Sequence, residues 1–233
     1  MGCMTAADRK RNMAFNIAID GPAGAGKSTI AKTLAAQMGF VYVDTGAMYR
    51  AMAYYFLQQG IAKEDEAAIT AAVDGADVTI RYEEGAQQVY LNGENVTGFL
   101  RTEQVGNMAS NTSVYPAVRR KLVALQQKLA ETTDVIMDGR DIGTCVLPDA
   151  QVKIYLTASV ETRAKRRFDE LAAKGGTPDL KQIEADIEER DYRDMHREMS
   201  PLVQAKDAVL VDSSALGIDE VVAEIRAVVK RKL

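Results

Sequence analysis

The sequence predicts an α/β protein in three layers, α/β/α, with about five parallel strands, a small antiparallel β insert and a short helical lid. Two patterns carry the prediction. Five short apolar runs, Asn16 to Asp20, Phe40 to Asp44, Val135 to Asp138, Val152 to Thr157 and Ala208 to Asp212, are mostly separated by segments of helical periodicity. That alternation builds a parallel sheet with helices on both faces. Between Asp77 and Thr97 the period changes to two, which marks an antiparallel insert.

With 233 residues and 47% hydrophobic content the chain can bury one substantial core, so a single domain over residues 13–233 is expected. Residues 1–12 are basic and polar, lack the apolar stretch of a secretion signal, and read as a disordered tail. After the first strand comes a helix with Ile30, Leu34 and Met38 on one face, ended by Gly39. The insert covers about residues 72–112. In it Val78, Ile80 and Tyr82 alternate, then Val89 and Leu91; Glu83-Glu84-Gly85 suits the first connection, and Asn92-Gly93 suits a type I′ turn before Val96. Pro116 opens a helix carrying Val118, Leu122, Leu125 and Leu129. From Ser159 to Arg197 two charged helices are joined by Gly175-Gly176-Thr177-Pro178, with Asp179 as cap of the second and Gln182 as its capping-box partner. This hairpin, about residues 160–195, is the expected lid. Val221, Val222, Ile225, Val228 and Val229 line a last helix after Asp219.

The charge balance, 29 Lys and Arg against 33 Asp and Glu, argues against a general binder of nucleic acid or membrane surfaces. An anionic ligand must therefore meet local basic clusters. No apolar run approaches the ~18 residues that a membrane-spanning helix needs. Cys3 and Cys145 are the only cysteines and His196 the only histidine, which argues against a disulfide framework and a Cys/His metal cluster and fits a reducing, cytoplasmic compartment; a monomer is the expected state.

Between the first strand and first helix, Gly21-Pro22-Ala23-Gly24-Ala25-Gly26-Lys27-Ser28-Thr29 matches the Walker A pattern. Its glycines let backbone N–H groups turn inward around a phosphate, and the helix N-terminus adds positive potential. Lys27 bridges phosphate oxygens and the Ser28 hydroxyl holds Mg²⁺. A plain turn is the competing reading, but it needs neither Lys27 nor three glycines. The pattern predicts a P-loop fold that binds a nucleoside triphosphate. Val135-Ile136-Met137-Asp138 resembles a Walker B element, so Ser28 and Asp138 are the candidate Mg²⁺ ligands; a strand that merely ends in aspartate is the alternative.

A switch needs one nucleotide site, whereas a kinase needs a second site and extra cations for the moving phosphoryl group. Arg50 follows the second strand and Arg140-Asp141 the third, at the carboxyl ends where open α/β sheets collect ligands; structural ion pairs are the alternative. At helical spacing Arg190, Arg193, Asp194 and Arg197 share one stripe beside Ile183 and Ile187. Guanidinium groups on one stripe repel unless anions meet them. The alternative is a solvated face neutralised by Glu189, Asp191 and other acids. Arg163, Arg166 and Arg167 extend the basic character to the first lid helix, and closure of a mobile hairpin over ATP would exclude water. His196 reads as structural or solvent-facing, because transfer to a phosphate acceptor needs no general base.

Four segments together carry a family resemblance: Ile19 to Ser28, Asp44-Thr45-Gly46-Ala47-Met48-Tyr49-Arg50, Asp138-Gly139-Arg140-Asp141-Ile142-Gly143-Thr144, and Glu189 to Arg197. With the antiparallel insert they resemble the bacterial cytidylate kinases of the nucleoside monophosphate kinase group. The resemblance implies transfer of the γ-phosphoryl group of ATP to CMP or dCMP. It places ATP on the P-loop and Arg166, the acceptor phosphate on Arg50, Arg140 and Arg197, and Arg190 and Asp194 near the ribose. Thr45 stands where relatives can carry serine, and either hydroxyl serves as a hydrogen-bonding group. Ser110, Arg119 and Asp141 would read the cytosine edge, and Lys27, Arg140 and Arg197 would carry catalysis. A carboxylate paired with a cation complements cytosine, which presents an amino donor beside N3 and O2 acceptors. The rival readings are a kinase of another small acceptor and, from a different class, a nucleotide-dependent switch.

Overall fold

The computed structural model describes residues 14–83 and 85–232; the expected N-terminal tail and Glu84 of the first insert connection lie outside the described residues. Strand β1 (Asn16–Asp20) sends Ile17 and Ile19 to one face and Ala18 to the other, all fully buried. Helix α1 (Lys27–Met38) buries Ile30, Leu34 and Ala35 and stops at Gly39, which sits in the left-handed region with φ 71°. Strand β2 (Val41–Asp44) runs directly into α2 (Thr45–Gln58), because the Asp44 carboxylate accepts the Ala47 N–H at 2.9 Å and caps the helix. Helix α3 (Glu66–Ala72) leads into β3 (Val78–Glu83), β4 (Ala86–Leu91), β5 (Glu94–Asn95) and α4 (Glu103–Thr112). Helix α5 (Pro116–Ala130), strand β6 (Val135–Gly139), a π-helical turn at Ile142–Val146 and β7 (Val152–Thr157) follow. The chain ends in α6 (Val160–Ala173), α7 (Leu180–His196), β8 (Val209–Asp212) and α8 (Ile218–Lys230).

Five of these strands form one parallel sheet in the order β2-β6-β1-β7-β8. One face packs Ile17, Ile19, Ile136, Ile154 and Leu156 against α1 and α8; the other packs Ala18, Val43 and Met137 against α2, α5 and the insert. The predicted three layers are therefore present. Register brings the carboxyl ends level, with Asp44 beside Asp138 and Asp20 beside Gly139, so every polar strand end opens at one rim.

The insert is a three-stranded antiparallel sheet, and Asn92 and Gly93 at φ 50° and 86° have the two positive angles of a type I′ turn. It is tied to the main sheet by side chains. The Gln87 amide accepts from Asp44 N at 2.8 Å and donates to Asp44 O at 3.3 Å, and the Tyr82 hydroxyl donates to Tyr42 O at 2.9 Å.

Several boundaries differ from expectation. Phe40 and Ala208 fall just outside their strands. Asp179 does cap α7, accepting from Lys181 N and Gln182 N, but the Gln182 side chain donates to the Asp186 carboxylate at 2.8 Å, a charged acceptor one turn on, so the capping box does not form. Its counterpart is at α8, where Gly217 N donates to Glu220 at 2.7 Å. Helix α7 stops at His196; Arg197, its C-cap, keeps φ −64° and donates its N–H to Arg193 O at 3.1 Å, so its side chain still leaves in helical register before ψ 141° turns the chain away.

Candidate active site

The phosphate loop spans the gap from β1 to α1. Gly24 and Gly26 take φ 77° and 87°, which β-carbons disfavour, and a β-carbon on Gly21 would stand 1.9 Å from the Leu156 carbonyl oxygen. The Lys27 ammonium is buried and donates to Pro22 O at 2.7 Å; burial holds it well below the usual lysine range. Ser28 Oγ and the Tyr42 hydroxyl donate to the two oxygens of Asp138 at 2.8 and 2.9 Å. Burial pushes the Asp138 carboxyl up. A hydroxyl beside a carboxylate is a hard oxygen donor set, and with substrate phosphates and water to complete an octahedron it fits Mg²⁺. Thr45, expected on the acceptor side, is buried, and its hydroxyl donates to Asp138 O at 2.7 Å.

Across the rim lies a cluster of opposite charges, buried at its centre and part-exposed at its edge. Arg119 and Asp141, both almost wholly out of solvent, form a close ion pair. Arg197 stands 3.7 Å from the other Asp141 oxygen and donates from Nε to Ser200 O at 2.7 Å. Arg140 meets Asp194 at 2.9 Å. Burial alone would raise the Asp194 carboxyl, but the charge and hydrogen bond of Arg140, with the charges of Arg190 and Arg197, together hold the group low. Arg50 pairs with Asp44 at 3.0 Å. Arg190, one turn before Asp194, is exposed and lies in the field of Arg140, Asp194 and Arg50.

A cavity of about 340 Å³ brings Ser110 together with Asp194 and Arg197. Eight side-chain atoms among the described residues are buried without a hydrogen-bond partner, and four of them, Tyr49 Oη, Arg50 Nε, Thr144 Oγ1 and Arg197 Nη2, belong to residues of the candidate site. Buried polar atoms in a folded chain are almost always paired, so polar atoms left open in this region mark a place where a polar ligand supplies the missing bonds. Those four belong to the two signature segments at 44–50 and 138–144 or follow the end of α7; the others, on Asn16, Gln126 and Asp191, lie outside these segments.

The remaining lid residues divide. Arg193 pairs with Glu189 and Arg167 with Glu170, both on solvated surfaces, so the solvated-face reading holds for these two. Asp191 does not neutralise that face: it turns inward to Arg163 at 2.7 Å. Arg166, expected on the donor side, donates to Ser213 O and Oγ at 2.7 and 3.2 Å, and it is Arg163 that reaches the phosphate loop, at Ala23 O, 3.0 Å away. His196 is exposed and stacks on Tyr192 with ring centroids 4.0 Å apart.

Three further residues stand at the site without having been singled out in the sequence. Tyr42 grips Asp138. Tyr49 lies with its ring 5.8 Å from the Arg119 guanidinium. Asp20 accepts Ile142 N and Gly143 N at 2.7 Å each, and burial raises its carboxyl to about 6 despite those two bonds. The signal that would have found Asp20 is the end-of-strand position it shares with Asp44 and Asp138.

The family model described as "Cytidylate kinase" matches residues 17–231. The chain is 50% identical over 221 residues to the cytidylate kinase of Lactobacillus gasseri, covering 95% of this chain and 96% of that one. It is 51% identical over 218 residues to the cytidylate kinase of Enterococcus faecalis, covering 94% and 96%. The cytidylate kinase of Caldicellulosiruptor bescii is 50% identical over 211 residues, covering 91% and 93%.

Proposed function

The chain belongs to the cytidylate kinase family, and from that premise we propose that it moves the γ-phosphoryl group of ATP onto CMP or dCMP, giving ADP and CDP or dCDP. The observation that carries the reading is the buried Arg119–Asp141 pair on the rim opposite a phosphate loop. A loop alone binds a triphosphate. A carboxylate held between two guanidinium groups, with a cavity at Ser110, Asp194 and Arg197, supports a separate site for the acceptor.

An oxygen of the acceptor phosphate attacks the γ-phosphorus while the bond from that phosphorus to the β,γ-bridging oxygen breaks, and ADP leaves. The protein contributes placement and charge. Lys27, released from Pro22 O, tracks the charge on the donor phosphates; Arg50, Arg140 and Arg197 bring the acceptor phosphate into line and offset its repulsion. Mg²⁺, held through Ser28 and Asp138, would neutralise the phosphate oxygens of the donor. Asp141 takes the cytosine amino group and Arg119 the ring acceptors, so uracil, with a carbonyl in place of the amino group, sets an oxygen acceptor against the carboxylate.

A coupled ADP-release assay with CMP, dCMP, UMP, AMP and GMP tests this reading. CMP and dCMP are expected to be turned over well ahead of the others, in a Mg²⁺-dependent manner. Equal turnover of UMP would overturn the base assignment. The reading extends to a monomer working in the cytoplasm, for which light scattering with and without nucleotides is the direct check.

A further inference from the structure

Asp20 has no place in the transfer as described, yet it is buried, charged and doubly bonded. It is the last residue of β1, and Gly21 of the phosphate loop follows it directly. Its two carboxylate oxygens accept Ile142 N and Gly143 N, the first two amides after Asp141. The side that carries the donor loop and the side that carries the base reader are thus joined through one carboxylate.

The bonds meet a specific need. The first N–H groups of a helical turn have no partner inside it. In the turn at Ile142–Val146, Cys145 N and Val146 N return to Asp141 O and Leu147 N returns to Ile142 O, but Ile142 N and Gly143 N have only Asp20. Asp141 itself is non-helical, with φ −147° and ψ 26°; its carbonyl is held by the turn through Cys145 N and Val146 N, and the N–H at the other end of that same peptide, Ile142 N, is held by Asp20. Gly143 lets the carboxylate close in: a β-carbon there would stand 3.3 Å from Asp20 Oδ2 and 3.2 Å from Lys153 Cδ.

Resting on the kinase reading above, we propose that Asp20 is a positioning residue that fixes the cytosine-reading Asp141 relative to the phosphate loop, so that acceptor selectivity depends on a residue that touches neither substrate. Asp20→Asn is the primary variant. An amide keeps one acceptor oxygen but turns an NH₂ group toward a second N–H, so one of the two bonds is lost and the turn loosens. The expected result is a KM for CMP raised about tenfold and a CMP-to-UMP ratio of kcat/KM lowered about tenfold, with the KM for ATP within about twofold of wild type. Gly143→Ala crowds the same contact from the other side and is expected to move the same two quantities in the same direction, so the test survives if Asp20→Asn does not fold.

Losses shared equally by CMP, UMP and ATP, or a lowered Tm with selectivity intact, would overturn the positioning role and leave Asp20 a stability residue. Wild-type turnover of CMP is measured first. Its absence would sink the kinase reading and this proposal together, whereas an active wild type with unaltered variant selectivity sinks the proposal alone.

Discussion

The guanidinium of Arg163 stands 2.7 Å from the carboxylate of Asp191, and its other nitrogens donate to Ala158 O and Ala23 O at 2.9 and 3.0 Å. Both residues are buried, and a β-carbon on Gly24 would lie 3.3 Å from the Arg163 β-carbon. One side chain therefore holds both lid helices and the phosphate loop. Removing one member of a buried pair leaves the other charge uncompensated, at a cost of about 3–5 kcal/mol. Arg163→Ala is expected to lose stability in that range by urea unfolding and to raise the KM for ATP. The double replacement with Asp191→Leu should lose less than the sum of the single changes.

Asp141→Ala leaves Arg119 buried without its partner and removes the group opposite the cytosine amine. The kcat/KM for CMP is expected to fall by about two to three orders of magnitude and that for UMP by much less, because only cytosine loses a bond. Parallel steady-state measurements with both acceptors give the comparison. An equal fall for both would remove Asp141 from base recognition.

Lys27→Ala should cut kcat by at least about a hundredfold while the far-ultraviolet spectrum is preserved. Burial already disfavours the Lys27 ammonium, so its removal is expected to leave Tm unchanged or raised. A thermal melt run beside the turnover assay separates loss of chemistry from loss of fold.

Gly21→Ala meets two obstacles, φ 148° and a carbonyl oxygen of β7 at 1.9 Å, so strands β1 and β7 must part to admit it. It should not yield stable folded protein at 37 °C. Gly39→Ala, at φ 71° with open space around the added carbon, should cost only about 1 kcal/mol. Expression and melting of the pair check steric crowding against backbone strain.

Stability should also respond to acid through Asp20. Its carboxyl is raised from 3.8 to about 6, so the folded state binds a proton more readily than the unfolded chain does. Its contribution is fully present below about pH 4 and is lost as pH rises through about 6, a change of about 3 kcal/mol. Asp20→Asn removes this dependence. The difference in unfolding free energy between wild type and variant, followed from pH 4 to 7, is expected to shift toward the variant as pH rises.

Each strand of the parallel sheet was legible because buried parallel strands are short apolar runs, here usually closed by aspartate, and the insert because its period is two. The order of strands was not, since β6 enters between β1 and β2 through contacts far apart in sequence. Helix α2 was harder to read than α1. It buries Ala47, Met48, Ala51, Met52, Ala53 and Phe56, an arc too broad to stand out as a stripe. At the site, the phosphate loop declares itself through its glycines. The direction of Asp191 could not be read, because periodicity fixes which residues share a face and not which face meets the body of the protein.

Strand β2 is an outer strand of the parallel sheet, and outer strands ordinarily offer a row of main-chain groups to any passing chain. Here the outward N–H and C=O of Asp44 are already taken by the Gln87 amide, and the carbonyl of Tyr42 by the Tyr82 hydroxyl. The side chains act as a false neighbouring strand. At that border three of the main-chain groups that a further strand would need are occupied by the same residues that hold the insert in place.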